Sequence, residues 1–224
     1  MRPRTAVARL LCAVLIGAFA LMAAPAATAA PAQTPLRGGT LLFSPAGRCV
    51  VSFNATNGTH YYGIMAGHCG GVGTKWYADP GLTTQVGITE TAVFPGKDYA
   101  LVRFTNPDYS YPSEVAAGVQ IIRINRAANP VVGQSVCRSG PTTGMRCGRV
   151  TATNVSITYP QGTVTGLFAA TVCAEPGDSG GPTFSGDAAL GFLVGGSGNC
   201  TSGGTTYHQP LAPVLSAHAL RVGY

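Results

Sequence analysis

The most constraining feature of this 224-residue sequence is a succession of short apolar and β-branched runs with turn residues between them. Residues 49–53 and 59–64 flank Asn57-Gly58, a dipeptide that strongly favours a β-hairpin. No helical pattern of about 10–15 residues separates the runs, which argues against a parallel sheet with crossover helices. The pattern therefore predicts an all-β sandwich or barrel. The other predicted strands are 85–89, 99–104, 120–124, 133–138, 148–159, 163–171 and 189–194.

One segment has helical rather than strand spacing. The apolar residues of segment 210–220 recur at roughly helical intervals, at Leu211, Val214, Leu215 and Leu220. This spacing predicts a short C-terminal helix. Only 10% of the residues are charged, a composition that suits a compact β-protein rather than a disordered chain. The length suits one sizeable domain.

The N-terminus has the three parts of a secretory signal peptide. A positive region, an apolar run and a cleavage motif follow one another at Arg2, Arg4 and Arg9, at residues 10–24, and at Ala27-Thr-Ala29. A membrane anchor is the alternative, but the apolar run is short for a span of about 20 residues. We therefore expect residues 1–29 to be a signal peptide and residues 30–35 a short N-terminal segment. The mature protein would be secreted and extracellular, with no stable membrane association.

The charge distribution argues against nucleic acid as a partner. The full chain carries 14 Lys+Arg and 8 Asp+Glu, a net charge of +6. Removing the three arginines of the signal peptide leaves 11 basic and 8 acidic residues, so the mature net charge is about +3. The basic residues are scattered from Arg37 to Arg221 and form no cluster that could follow a phosphate backbone.

Cysteine usage agrees with export. Cys12 lies in the signal peptide, and the other six of the seven cysteines remain in the mature chain. An even number in a secreted protein implies disulfides, although six cysteines allow fifteen pairings. Sequential pairing is favoured because each loop is then local: Cys49 with Cys69, Cys137 with Cys147, and Cys173 with Cys200. A zinc site is the alternative, but close pairs of Cys and His ligands are missing, so we expect no metal and no cofactor.

The segment Gly177-Asp-Ser-Gly-Gly181 contains a candidate nucleophile, Ser179. Glycines beside a serine allow a sharp turn and direct backbone N–H groups towards a developing oxyanion. A short Gly-x-Ser-x-Gly match is weak in a chain with 31 glycines, where a plain surface turn is the alternative. The longer string Pro176-Gly-Asp-Ser-Gly-Gly-Pro182 is much more specific.

A serine nucleophile needs a base and an acid that orients the base. Among four histidines, His68 follows a predicted strand and precedes a cysteine that would hold it rigidly. Asp98 leads directly into the apolar strand 99–104, where a carboxylate can be buried if it accepts a hydrogen bond from imidazole. Taken alone, His68 could instead be a structural histidine, and Asp98 could be a solvated aspartate. The chain order His68, Asp98, Ser179 is one of the known orders of a Ser-His-Asp triad.

A competing triad has the order Ser179, Asp187, His208, which is the order of α/β-hydrolases. That fold needs strands that alternate with helices, and this sequence lacks them. An esterase or lipase is therefore disfavoured.

Together these motifs resemble the chymotrypsin-like serine peptidases of the bacterial streptogrisin and α-lytic type. The resemblance extends from Leu36 to Val222 and rests on Arg37-Gly-Gly39, Gly47-Arg-Cys49, Ala66-Gly-His-Cys69, Asp98-Tyr99, Cys137-Arg-Ser-Gly140, Thr142-Thr-Gly144, residues 173–182 and Gly195-Gly-Ser-Gly-Asn-Cys200. It implies two antiparallel six-stranded β-barrels packed face to face, with the triad in the cleft between them. The peptidase domain would span residues 36–224, with barrels at about 36–115 and 116–224. The resemblance also supports the sequential disulfide pairing.

The resemblance assigns roles to residues of this chain. His68 would be the general base, Asp98 its orienting partner and Ser179 the nucleophile. The backbone N–H groups of Gly177 and Ser179 would form the oxyanion hole. A buried ion pair would join Asp178 to Arg138, so activity would not depend on a freed N-terminal amine.

The family also implies where the residue before the scissile bond binds. Four residues would make the primary pocket roomy and apolar and would favour large apolar or aromatic side chains: Ala174, Pro176, Gly195 and Gly196. A pocket for basic residues needs an acid near Thr171, and none is present. Glutamate-specific members have a histidine at the position of Leu193, so that specificity is disfavoured too.

Two departures from the family pattern leave a second hypothesis open. Val194 stands where the family usually has a serine whose hydroxyl supports the triad aspartate, so Asp98 would be held less well and catalysis weakened. Members also carry a substantial pro-region, whereas only residues 30–35 precede Leu36 here, so folding would proceed without one or with help from elsewhere. We expect a monomeric endopeptidase that acts on protein or peptide substrates. The alternative is a catalytically impaired homologue that binds peptides or another partner.

Overall fold

The computed structural model describes residues 32–224, so the expected signal peptide lies outside the described residues. The described chain is almost entirely β-structure with one short C-terminal helix, and the predicted all-β fold class is confirmed. The strands are β1 Thr34–Pro35, β2 Leu41–Ser44, β3 Gly47–Val50, β4 Phe53–Thr56, β5 Tyr61–Met65, β6 Lys75–Tyr77, β7 Gln85–Val93, β8 Tyr99–Phe104, β9 Tyr109–Ser110, β10 Glu114–Ala117, β11 Gln120–Arg123, β12 Arg126–Ala127, β13 Ser135–Arg138, β14 Arg146–Tyr159, β15 Gly162–Ala170, β16 Pro182–Ser185, β17 Ala188–Asn199 and β18 Gly203–Pro210.

The first sheet has the strand order β3-β2-β6-β7-β8-β5-β4. Asn57-Gly58 lies in the turn between β4 and β5, which pair in antiparallel register from Phe53 opposite Ile64 to Thr56 opposite Tyr61. The hairpin predicted from that dipeptide is thus present. The strand β4 is buried at all four residues, because both of its faces are covered.

The first sheet curls because one extended segment changes its partner strand. Strand β3 pairs with β2, and β4 pairs with β5. Between them the Val51 N–H donates to the Thr40 carbonyl at 2.9 Å, and the Ser52 N–H donates to the Ile64 carbonyl at 2.7 Å. The seven strands therefore correspond to the six that the family pattern predicts, if residues 47–56 are counted as one bent strand.

The second sheet has the order β12-β17-β16-β13-β14-β15-β18, and β17 also pairs with β18. Six strands therefore close into a barrel, and the two-residue β12 adds a seventh strand by pairing in parallel with the start of β17. Apolar side chains from both sheets form one continuous buried cluster, which includes Val51, Phe53 and Trp76 of the first sheet and Phe192 and Val194 of the second. The two barrels thus share a core.

A separate two-stranded hairpin, β10–β11, lies between the two sheets in the chain. The predicted boundary between barrels at residues 115 and 116 falls within β10 and stays a prediction. The helix α1, Leu211–Ala217, is shorter than the predicted segment 210–220. It begins after Pro210, which is extended, and it ends before Ala219, whose φ of 51° is left-handed.

Candidate active site

His68 lies in a short 3₁₀ helix, Gly67–Cys69, at the end of β5. A side chain on Gly67 would collide with the backbone of Val93 and Tyr99, so glycine permits this close approach. A disulfide joins Cys69 to Cys49 in β3. His68 is therefore held by the disulfide at Cys69 on one side, as expected from its position next to a cysteine, and by the close packing of Gly67 on the other.

The carboxylate of Asp98 contacts His68 through both of its oxygens. The His68 Nδ1 lies 2.7 Å from Oδ2, and the His68 backbone N–H donates to Oδ1 at 2.9 Å. The Asp98 side chain is fully buried, whereas the His68 side chain is 30% exposed. A carboxylate beside Nδ1 keeps the imidazole proton on that nitrogen, so Nε2 is left as the proton acceptor.

A glutamine that sequence reasoning missed supports Asp98 from the other barrel. The Oε1 atom of Gln209, in β18, accepts the Asp98 backbone N–H at 3.1 Å, and Gln209 is buried. No sequence pattern indicates this contact, because the two residues are 111 positions apart.

Ser179 is half-buried in the loop between β15 and β16. The flanking glycines have left-handed backbones, with φ of 98° at Gly177 and 83° at Gly180. The Val50 N–H donates to the Ser179 carbonyl at 3.2 Å, and the Ser52 hydroxyl donates to the Gly180 carbonyl at 2.6 Å. The first barrel thus fixes the backbone on which the serine is presented.

Ser179 and His68 line two adjoining cavities, whereas the fully buried Asp98 contacts His68 and lines neither cavity. One, of about 250 Å³, is lined by Ser179 and by all four predicted pocket residues, Ala174, Pro176, Gly195 and Gly196. The other, of about 300 Å³, is lined by His68, Phe94, Tyr159, Gln161 and Val194. They meet at the consecutive residues Val194 and Gly195. Among the described residues, no hydrogen bond joins the Ser179 hydroxyl to His68 Nε2.

Leu193, Thr206 and Glu175 also line the Ser179 cavity. Thr206 was not predicted from the sequence. Its hydroxyl donates to the Val172 carbonyl at 2.7 Å, and its methyl carbon lies 3.3 Å from the point where a side chain on Gly196 would begin. Glu175 Oε1 accepts the Cys200 N–H at 2.9 Å. The polar groups of Thr206 and Glu175 are therefore engaged within the protein, and Ala174, Pro176 and Leu193 supply the apolar surface of the cavity.

Asp178 and Arg138 are both fully buried, and Arg138 Nη2 lies 3.2 Å from Asp178 Oδ2. The carboxylate accepts further hydrogen bonds from the backbone N–H groups of Thr142, Thr143 and Glu175 and from the Thr143 hydroxyl. Arg138 is less well satisfied, because its Nε and Nη1 have no hydrogen-bond partner. Burial lowers the pKa of Arg138, and the neighbouring Asp178 opposes that effect.

Residues 32–224 contain three disulfides: Cys49–Cys69, Cys137–Cys147 and Cys173–Cys200. These are the sequential pairs. The last bridge closes the segment that contains the Ser179 loop and the cavity residues Gly195 and Gly196.

The competing residues Asp187 and His208 are far from a triad arrangement. His208 is fully buried, and its two ring nitrogens contact the hydroxyls of Thr183 at 2.8 Å and Thr206 at 2.9 Å. Burial lowers the pKa of His208 to about 3, and the charge of Arg138 adds to this effect. The Asp187 side chain is 47% exposed and pairs with Arg126. Neither residue lines the Ser179 cavity.

Val194 is buried and lines the His68 cavity. Its carbonyl accepts a hydrogen bond from the Tyr159 hydroxyl at 2.8 Å, and burial raises the pKa of Tyr159 to about 12. Among the described residues, the hydrogen bonds to the Asp98 carboxylate come from His68 alone.

A larger cavity, of about 450 Å³, lies elsewhere and is lined by Tyr61, Tyr109 and Tyr224 among others. None of the candidate catalytic residues lines it, so we assign the site by its chemistry rather than by cavity size. Within residues 32–224 there is no group of three or more His, Cys, Asp or Glu side chains placed to hold a metal ion. No helix in the same part of the chain is long and apolar enough to cross a membrane.

Two curled seven-stranded sheets, with a histidine–aspartate pair and a glycine-rich serine loop where they meet, define the chymotrypsin-like class of proteins. The trypsin family matches residues 49–217, about three quarters of the chain. The chain therefore belongs to the trypsin family, and its predicted resemblance to the bacterial streptogrisin and α-lytic type is confirmed. Members of this family are serine endopeptidases.

Known relatives support this assignment. Streptogrisin-C of Streptomyces griseus is 45% identical over 192 residues, which cover 84% of this chain and 41% of the relative. Streptogrisin-D of the same organism is 44% identical over 193 residues, which cover 85% of this chain and 49% of the relative. The chain thus spans about half or less of the length of these relatives. The solved structure of alpha-lytic protease homolog N4 has a TM-score of 0.78 and 53% identity, and covers 84% of this chain and 99% of its own.

Proposed function

We propose that this protein is a secreted serine endopeptidase that hydrolyses peptide bonds through an acyl-enzyme intermediate. The observation that carries the proposal is the 2.7 Å contact between His68 Nδ1 and a fully buried Asp98, beside a cavity lined by Ser179. We further propose that it works as a monomer, without a cofactor, on protein or peptide substrates.

In the acylation step, His68 Nε2 takes the proton of the Ser179 hydroxyl as Oγ attacks the carbonyl carbon of the scissile bond. The carbonyl π electrons move to oxygen and form an oxyanion. The protonated His68 then gives its proton to the leaving amine as the C–N bond breaks. In deacylation, water replaces the amine, with His68 as base and then acid, and Ser179 regains its proton.

Asp98 keeps the imidazole in the tautomer that this sequence of transfers requires. It also stabilises the imidazolium that forms transiently, because its carboxylate is buried and lies against Nδ1. Its own backbone is held by Gln209.

Gly177 and Ser179 would supply the oxyanion hole. Neither backbone N–H donates to a backbone acceptor within the described residues, so both are free to bind an anionic oxygen. The left-handed φ of 98° at Gly177 favours glycine at this position. Donors of this kind typically contribute about 10²–10³-fold each in kcat.

The cavity beside Ser179 would accept a large apolar or aromatic side chain. It has a volume of about 250 Å³, and its apolar lining includes Ala174, Pro176 and Leu193. The one acidic side chain at the cavity, Glu175, is engaged by the Cys200 N–H. We therefore propose a preference for residues such as Phe, Tyr and Leu before the scissile bond.

The alternative is an impaired homologue that binds peptides without cleaving them. The specific observation in its favour is that Val194 offers Asp98 no hydroxyl.

Labelling with a serine-directed phosphonate separates the two proposals. The folded, unmutated protein should be labelled at Ser179 and should cleave a peptide with Phe before the scissile bond, whereas Ser179→Ala should do neither. A folded protein that binds such peptides but is neither labelled nor active would overturn the enzyme proposal in favour of the impaired homologue.

A further inference from the structure

Arg48 is a cation at the edge of the site that the proposed reaction does not use. It lies in β3 opposite Phe43, and its side chain is exposed. Its Nη2 is 3.6 Å from the position that a β-carbon on Gly177 would occupy. The guanidinium therefore lies beside the loop that would supply the oxyanion hole.

The charge of Arg48 has no counter-ion among the described residues. The five ion pairs of residues 32–224 involve other side chains. The two acids of the serine loop have other partners, since Asp178 pairs with Arg138 and Glu175 accepts the Cys200 N–H. A cation beside a substrate cleft without a protein partner is available to a substrate carboxylate.

The position of Arg48 indicates which part of a substrate it would meet. It lines neither the Ser179 cavity nor the His68 cavity, which would hold the residues before the scissile bond. It adjoins Cys49 instead, whose sulfur lies 3.5 Å from the Ser179 carbonyl, on the strand that supports the serine loop from the first barrel. A peptide whose residues before the scissile bond fill the two cavities would continue from Ser179 past Gly177 and the Cys49–Cys69 disulfide, so its first residues after the scissile bond would pass Arg48.

We propose that Arg48 determines specificity on the leaving-group side and selects peptides with an acidic side chain within the first two residues after the scissile bond. The inference rests on the proposed endopeptidase function and extends it to a second substrate determinant. Arg48 acts by attracting the substrate carboxylate and by repelling lysine or arginine at the same place.

The expected effect is modest, because an exposed ion pair is weak and is screened by salt. Attraction of Glu and repulsion of Lys act in the same direction. We therefore expect kcat/KM for a Glu peptide to exceed that for the matching Lys peptide by roughly three- to tenfold at about 10 mM ionic strength. At about 0.5 M the preference should nearly vanish.

The test uses peptides that share Phe before the scissile bond and carry Glu, Gln or Lys at the first or the second position after it. The Glu-to-Lys ratio of kcat/KM is measured for the wild type and for Arg48→Lys, Arg48→Gln and Arg48→Glu. Arg123→Glu is the matched control, since it reverses another exposed arginine, in the β10–β11 hairpin, and changes the net charge by the same amount as Arg48→Glu. A ratio taken within one variant is independent of how much of that variant is folded.

Arg48→Lys should retain the preference, Arg48→Gln should abolish it, Arg48→Glu should invert it, and Arg123→Glu should leave it unchanged. Equal ratios in the wild type and Arg48→Glu, with normal cleavage, would overturn the role of Arg48 and leave the endopeptidase proposal intact. A shift of equal size in Arg123→Glu would also overturn it, because net charge would then be the cause. A wild type that is not labelled by phosphonate and cleaves no peptide overturns both proposals.

Discussion

The buried pair of Arg138 and Asp178 allows a quantitative prediction, because its two members are satisfied unequally. Asp178 accepts five hydrogen bonds, of which Arg138 supplies one. Arg138 in turn has two unpaired nitrogens, Nε and Nη1, in a fully buried side chain. Removing the aspartate therefore leaves a worse defect than removing the arginine.

The expected costs follow from this asymmetry. Asp178→Asn leaves the Arg138 cation buried without a counter-ion and turns an amide N–H₂ towards other donors. We expect it to lower the free energy of unfolding by about 4–5 kcal/mol, the upper part of the range for breaking a buried ion pair. Arg138→Met leaves Asp178 with four donors and removes the two unsatisfied nitrogens, whose burial costs about 1–3 kcal/mol each. We expect this variant to lose only about 1–3 kcal/mol.

The measurement is urea unfolding followed by far-UV circular dichroism, with the disulfides intact and in a Ser179→Ala background that prevents self-digestion. The double variant should lose at least about 2 kcal/mol less than the sum of the single variants, since neither charge is then left alone. If Arg138→Met is as damaging as Asp178→Asn, or if the two losses add within about 0.5 kcal/mol, then Arg138 is not the poorly satisfied member of the pair.

Three further predictions concern the candidate site and the buried His208. Asp98→Asn should lower kcat by about 10⁴-fold in a peptide-cleavage assay while the protein stays folded, because an amide donor beside Nδ1 favours the wrong imidazole tautomer; a loss below tenfold would contradict the role of Asp98. His208, with its pKa lowered to about 3 by burial, binds a proton more readily in the unfolded chain. The stabilising contribution of neutral His208 is therefore complete above pH ~6.5. As the pH falls towards ~3, the unfolded chain binds a proton that the folded chain does not, and the free energy of unfolding decreases by up to about 5 kcal/mol. His208→Gln should therefore make the free energy of unfolding less dependent on pH over that range. Gly196→Val should lower kcat/KM for Phe peptides by roughly 100-fold relative to Ala peptides, since the new side chain would fill the Ser179 cavity; an unchanged ratio would place the specificity pocket elsewhere.

The architecture of this protein could be predicted from the sequence where local patterns are strong. Strands with clear apolar runs, such as β8 and β14, lie close to their predicted positions. The strand β18 was not predicted, because its sequence Gly203–Pro210 begins with glycines and ends with proline, which read as a turn. It is a strand because β15 and β17 supply hydrogen-bond partners on both sides.

The candidate site was predictable to the extent that its residues lie in recognisable motifs. His68, Asp98 and Ser179 each lie in such a motif; Ser179 and His68 line two adjoining cavities, and the buried Asp98 contacts His68. Gln209 and Thr206 could not be predicted from the sequence because their roles depend on β18, whose pairing with β15 is long-range. His208 carried no signal of burial either, since its partners Thr183 and Thr206 are neutral hydroxyl groups that occur throughout the chain.

The hydrogen bonds around the site join each part of it to the opposite barrel. The Asp98 backbone, at the start of β8, is held by Gln209 from the second sheet. The Ser179 and Gly180 carbonyls, which belong to the second half of the chain, are held by Val50 and Ser52 of the first sheet. Because these contacts run in both directions, the barrels cannot slide without breaking hydrogen bonds on both the histidine and the serine side. The bent segment 47–56 therefore has two structural roles. It closes the first sheet, and its hydrogen bonds fix the position of the serine loop relative to the histidine–aspartate pair.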